Sequence, residues 1–151
     1  MKILMVCMGN ICRSPLAEGI MKSKLKQYGI DGVVDSAGTI STHIGEVPDH
    51  RSCEIALENG IDITDQRARL FQISDFDAFD RIFVMDKKNY SNIIKIAETQ
   101  EQRQKVEMIM NRLEPGSNIG VPDPFYGNRA EFEKVFQMLD ATCEAIAKSI
   151  I

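Results

Sequence analysis

The sequence predicts an α/β fold in which one parallel sheet is covered by helices on both faces. Short apolar runs of strand composition alternate with longer runs whose apolar residues recur at helical spacing. At 151 residues the chain suits a single domain, residues 1–151, with length for one sizeable core. No internal repeat, low-complexity stretch or composition break marks a linker. Strands that alternate with helices pair in parallel, cross over right-handed and leave ligands beyond their carboxyl ends.

The elements follow in order. Lys2–Val6, "KILMV", reads as the first strand, so Cys7 stands at its carboxyl end. Leu16, Ile20, Met21, Leu25 and Tyr28 share a helix face that Gly29 terminates. Val33–Ser36 is a second strand, and Cys53, Ala56 and Leu57 mark the buried face of a helix ending near Gly60. Arg81–Met85 is a third strand, followed by a helix with Tyr90, Ile93, Ile94 and Ala97 inward. "TQEQRQK", Thr99–Lys105, reads as a solvated helical turn, and Val106–Met110 as a fourth strand or equally a helical turn. Phe132, Val135, Phe136, Leu139, Cys143, Ile146 and Ile150 define a long C-terminal helix.

Composition narrows the function classes. A formal net charge of -4 gives no general affinity for nucleic acid or an anionic membrane. No stretch approaches the roughly 18 apolar residues that span a bilayer, and no export signal is evident, so a cytoplasmic location is expected. The four cysteines, Cys7, Cys12, Cys53 and Cys143, form neither C-x-x-C pairs nor clusters with His at zinc spacing. No metal site is expected, and the thiols are expected to be reduced.

The loop "CMGNICRS", Cys7–Ser14, leaves a strand and opens a helix. A cysteine with an arginine six positions later is weak evidence by itself, because most free cysteines are buried structural residues. Here Pro15 sits at a favoured first-turn position, Ser14 is placed to cap the helix, and Gly9 and Asn10 tolerate left-handed backbone. Such a loop turns its amides inward and binds anions, phosphate above all. The same positive field lowers a thiol pKa from about 8.5 to roughly 3.5–7.5, the condition under which sulfur attacks as a thiolate. Arg13 presents a planar fork able to grip two phosphate oxygens, which lysine lacks. The expected chemistry is attack by Cys7 on a phosphate ester through a phosphocysteine.

Expulsion of the ester oxygen calls for an acid. Asp123, in "GVPDPFYG", lies between Pro122 and Pro124 ahead of two aromatics that can wall a slot for a flat ring. It is either that acid or an ordinary turn aspartate.

"VCMGNICRSPLAE", "DSAGT" (Asp35–Thr39) and "DPFYG" (Asp123–Gly127) together resemble the low-molecular-weight protein tyrosine phosphatase family, over essentially the whole chain. The resemblance implies a four-stranded parallel sheet in the flavodoxin-like order 2-1-3-4. It makes Cys7 the nucleophile, Arg13 the phosphate clamp and Asp123 the proton donor and later the base. Met8, Gly9, Asn10, Ile11, Cys12 and Ser14 would supply the phosphate cradle. Asn10, Ser14 and Ser36 would brace the loop, with Ser14 also stabilising the departing sulfur. Thr42, Phe125 and Tyr126 would rim the slot. It further implies phosphotyrosine-bearing protein substrates, no cofactor, and a monomer or weak homodimer.

The chain departs from the family pattern in places. Gln66 stands where many members have a bracing His, Thr42 where many place a large aromatic, and Phe125 where Tyr is commoner. Related activities are separated by single features. An arsenate reductase of this fold relays through a close cysteine pair, whereas Cys53 and Cys143 are isolated. A protein-arginine phosphatase carries Thr where this chain has Ile11. A phosphocysteine carrier needs neither Arg13 nor Asp123, a non-enzymatic phosphotyrosine-binding module would not need Cys7 with Asp123, and no Walker-type ATP loop occurs. Cys12 is a small buried residue or a partner that traps oxidised Cys7 as a disulfide. His43 and His50, with no partner in view, read as surface.

Overall fold

The computed structural model describes residues 1–151. Strand β1 (Lys2–Cys7) is followed by α1 (Arg13–Gln27), β2 (Val33–Gly38), α2 (His50–Glu58), the short α3 (Asp75–Ala78) and β3 (Arg81–Val84). Then come α4 (Lys87–Ile96), α5 (Gln100–Gln104), β4 (Val106–Met108) and the long α6 (Arg129–Ile150). The sheet has order β2-β1-β3-β4 and every pairing is parallel. Parallel strands covered on both faces read as continuous apolar runs, which is why β1 is buried from Ile3 to Cys7.

The two faces of β1 separate at a period of two. Ile3, Met5 and Cys7 pack with α1, α2 and α6, while Leu4 and Val6 pack with Phe76, Phe79 and Ile93 on the other side. β3 and the residue after it divide likewise, Phe83 and Met85 with the first group, Ile82 and Val84 with the second. Cys7 therefore stands at the carboxyl end of a central strand, in phase with the larger core. Its neighbour in register is Gly38, where an added Cβ would lie 2.8 Å from the Met8 carbonyl oxygen. Only glycine lets β2 pass that close beneath the loop.

Several sequence expectations are corrected. α1 begins at Arg13, so Ser14 lies inside its first turn and is not the cap; its hydroxyl is engaged elsewhere. α2 buries Ser52, Ile55 and Ala56, whereas Leu57 is 67% exposed. On α4 the buried residues are Asn89 and Ile93, and Tyr90 points outward. In both helices the N-cap carboxylate, Asp49 or Asp86, fixes where the helix starts, and a small or polar residue takes the inner position. The fourth strand stops at Met108 and passes into a 3-10 turn over Ile109–Arg112, which accounts for its mixed pattern. α1 stops at Gln27, and Gly29 follows just beyond its Tyr28 cap with φ 64°, the helix stop that was expected. No helix is long and apolar enough to cross a membrane.

Candidate active site

Beyond the carboxyl end of β1 the chain turns through Met8–Cys12 into α1. Asn10 takes the left-handed conformation, φ 57°. The amides of Met8, Gly9, Asn10, Ile11 and Cys12 donate to no protein acceptor, so the loop offers a ring of free N–H groups at a helix N-terminus. The loop is held from behind. Thr39 N donates to the Met8 carbonyl, Asp49 N to that of Ile11, and Ser52 Oγ to that of Cys12.

A buried chain of side chains fixes the sulfur's surroundings. Asn10 Nδ2 donates to Ser14 Oγ at 2.8 Å and to Ser36 Oγ at 2.9 Å, while its Oδ1 accepts from the Arg69 amide. Ser36 Oγ donates in turn to Glu18 Oε1 at 2.7 Å. Ser14 Oγ, already accepting from Asn10, has its proton free for Cys7 Sγ, 3.0 Å away. With that proton turned toward it, the sulfur would be the acceptor. Burial lifts the Glu18 carboxyl above the ordinary carboxylate range, against the hydrogen bonds from Lys22 and Ser36 that pull it down.

Arg13 is buried, its side chain 3% exposed, yet it carries a charge. Nη1 donates to Asp86 Oδ2 at 2.7 Å and to the Val121 carbonyl at 2.9 Å. Nε and Nη2 donate to no protein acceptor, leaving one edge of the fork open. Burial works against the guanidinium charge, but the Cys7 sulfur, Asp86 and Asp123 outweigh it and raise its pKa.

The loop floors a cleft of about 230 Å³. Cys7, Met8, Gly9, Ile11, Cys12 and Arg13 form its base, and Ile40, Thr42, His43, Phe125 and Tyr126 its walls, with Asp123 at the rim. Asp123 Oδ2 lies 3.8 Å from Arg13 Nη2, and Oδ1 accepts from the Phe125 amide at 3.1 Å. Thus residues over a hundred positions apart meet at one opening. Tyr126 packs edge-on against Phe125 and is otherwise exposed.

Other predicted residues lie elsewhere. Asn10, Ser14 and Ser36 sit behind the loop rather than in the cleft. Gln66 makes no bond to them; its Nε2 donates to the Pro15 carbonyl on α1, and its Oε1 is buried without a partner. The Asn10 side chain is instead held by the Arg69 amide. Cys12 is buried, and its thiol is pushed far up by that burial first, then by Asp49, Cys7 and Asp123. Cys143 is likewise buried under α1.

His43 is not a surface residue. Its Nδ1 pairs with Glu46 at 2.9 Å, and its ring stands 6.4 Å from that of Phe125, both lining the cleft. An aromatic wall is thus present, one position after Thr42. His50, by contrast, is 82% exposed. Asp86 was not singled out by the sequence, although a carboxylate just past the end of an apolar strand was a signal that it could face a ligand.

The statistical model of the family described as "Low molecular weight phosphotyrosine protein phosphatase" matches residues 2–151. A putative low molecular weight protein-tyrosine-phosphatase of Synechocystis is 43% identical over 99% of this chain and 96% of its own length. The human low molecular weight phosphotyrosine protein phosphatase is 34% identical over 95% and 91%. Among solved structures, a protein tyrosine phosphatase from Entamoeba histolytica superposes with TM-score 0.93 at 35% identity, covering 99% of this chain and 96% of that one. The arginine phosphatase YwlE superposes with TM-score 0.89 at 25% identity, covering 99% and 95%.

Proposed function

The chain belongs to the low molecular weight phosphotyrosine protein phosphatase family, and on that premise we propose that it hydrolyses phosphotyrosine in proteins through a phosphocysteine on Cys7. The observation that carries this reading is the meeting, in one cleft, of Cys7, the free loop amides, the open edge of Arg13 and Asp123.

In the first half-reaction, loop amides and Arg13 bind three phosphate oxygens and neutralise their charge as Cys7 Sγ approaches phosphorus. The S–P bond forms, the bond from phosphorus to the aryl oxygen breaks, and Asp123 passes its proton to that oxygen. In the second, the Asp123 carboxylate takes a proton from water. The water oxygen bonds to phosphorus while the S–P bond breaks, and Ser14 donates to the departing sulfur. His43 and Phe125 flank a flat ring, which favours aryl over alkyl phosphates. Ile11 lines the base and offers a phosphoguanidine no acceptor, which argues against arginine phosphatase activity.

The test is to trap the intermediate. Phosphoprotein quenched in acid from the wild type and from Asp123→Ala should carry phosphorus on Cys7, and Cys7→Ser should carry no thiophosphate and show no turnover. Absence of phosphorus on Cys7, or faster turnover of phosphoarginine than of phosphotyrosine, would overturn the assignment.

A further inference from the structure

The Asp123 carboxylate, 37% exposed, sits on a segment without regular structure, yet proton transfer needs it within a few tenths of an ångström of one position. Its own contacts are few. Oδ1 accepts from the Phe125 amide, and Oδ2 stands 3.8 Å from Arg13. What holds Phe125 is therefore what holds the acid.

Arg51, in the first turn of α2, does that. Asp49 fixes the plane of its guanidinium: Nε donates to Oδ1 at 3.0 Å and Nη2 to Oδ2 at 2.9 Å. The remaining hydrogens reach across to the acid's loop, Nη2 to the Phe125 carbonyl at 3.0 Å and Nη1 to the Gly127 carbonyl at 3.3 Å. The same plane stacks 4.4 Å from the Phe132 ring centre, at the start of α6, and 5.8 Å from that of Phe125. The Asp49 amide, in turn, donates to the Ile11 carbonyl at 2.8 Å. A continuous path thus runs from the loop that carries the nucleophile, through Asp49 and Arg51, to Phe125 and the carboxylate.

We propose that Arg51 is a positioning residue for the proton-transfer step, setting Asp123 against the cysteine loop by holding the Phe125 and Gly127 carbonyls; this rests on the reading of Asp123 as the acid. Lysine cannot replace it, because one ammonium does not span two carbonyls and a carboxylate in a single plane.

The experiment compares Arg51→Met, Arg51→Lys, Asp123→Asn and the double variant Arg51→Met/Asp123→Asn on aryl phosphates of graded leaving-group acidity. Inorganic phosphate inhibition and thermal unfolding are read alongside. Arg51→Met and Arg51→Lys should each lower kcat/KM, which reports the first half-reaction alone, about tenfold on phenyl phosphate and hardly at all on a dinitrophenyl phosphate, with phosphate inhibition unchanged. The double variant should be no slower than Asp123→Asn. A slowdown equal across leaving groups in both Arg51 variants, or losses that multiply in the double variant, would overturn the role of Arg51 while Asp123→Asn keeps its steep dependence. A flat dependence in Asp123→Asn itself would instead overturn the acid assignment.

Discussion

Arg13 Nη1 donates to Asp86 Oδ2 at 2.7 Å, joining the first residue of α1 to the carboxylate that caps α4 just past β3. The contact orients the guanidinium so that its other edge faces the cleft. Asp86→Asn keeps the α4 cap but loses the charge. It should cost about 1–3 kcal/mol of stability, because a buried charge is left poorly paired. It should also lower kcat/KM and weaken phosphate inhibition together. Urea unfolding and steady-state kinetics check this; unchanged phosphate inhibition would show that Asp86 does not hold the clamp.

Gly38→Ala places a methyl against backbone that cannot yield, 2.8 Å from the Met8 carbonyl oxygen and 3.2 Å from the Gly9 carbonyl carbon. The expected result is a stability loss of about 1–3 kcal/mol. The loss of phosphate affinity should be larger than that of a core substitution of equal destabilisation, since the displaced atoms belong to the loop itself. Titration of inorganic phosphate against both variants separates the two.

His43→Ala should raise KM for aryl phosphates about three- to tenfold, the worth of one aromatic contact, and leave alkyl phosphates unaffected. Glu46→Gln, which loosens the ring without removing it, should fall between. Equal effects on both substrate classes would place His43 outside the specificity wall.

The Glu18 carboxyl, raised by burial, titrates higher in the folded chain than in the unfolded one. Its protonation therefore favours folding: the contribution is full below the ordinary carboxylate range and is lost as pH rises through the folded value. Relative to Glu18→Gln, the wild type should gain stability on acidification from neutral pH. Urea midpoints of the two proteins measured across that range should diverge; parallel curves would show that Glu18 does not titrate as described.

The strands were legible in the sequence because a sheet buried on both faces demands unbroken apolar runs, as "KILMV" supplies. Helix faces were less so where a polar residue such as Asn89 is buried and Tyr90 is not. The cysteine loop reads locally, since its residues are contiguous. Asp86 and Arg51 do not, because their partners lie 73 and 74 positions away and are brought to them only by chain closure. His43 was missed for another reason. An irregular loop has no periodicity from which to tell which of two neighbours turns inward, and here it is His43, anchored by Glu46. Ser14 was misread as a cap because a hydroxyl at a helix start has two uses, and sulfur claimed it.

Cys7 lies on the first strand and Asp123 just ahead of α6, whose Phe132, Val135, Leu139 and Cys143 complete the core on which α1 rests. During synthesis the Cys7 thiol therefore leaves the ribosome well before Asp123 and the helix that seats the floor of the pocket. On the proposed mechanism, dephosphorylation is therefore withheld until α6 has been released and docked. A chain cut short before that point would hold Cys7 without Asp123 and without the helix that completes the core beneath it.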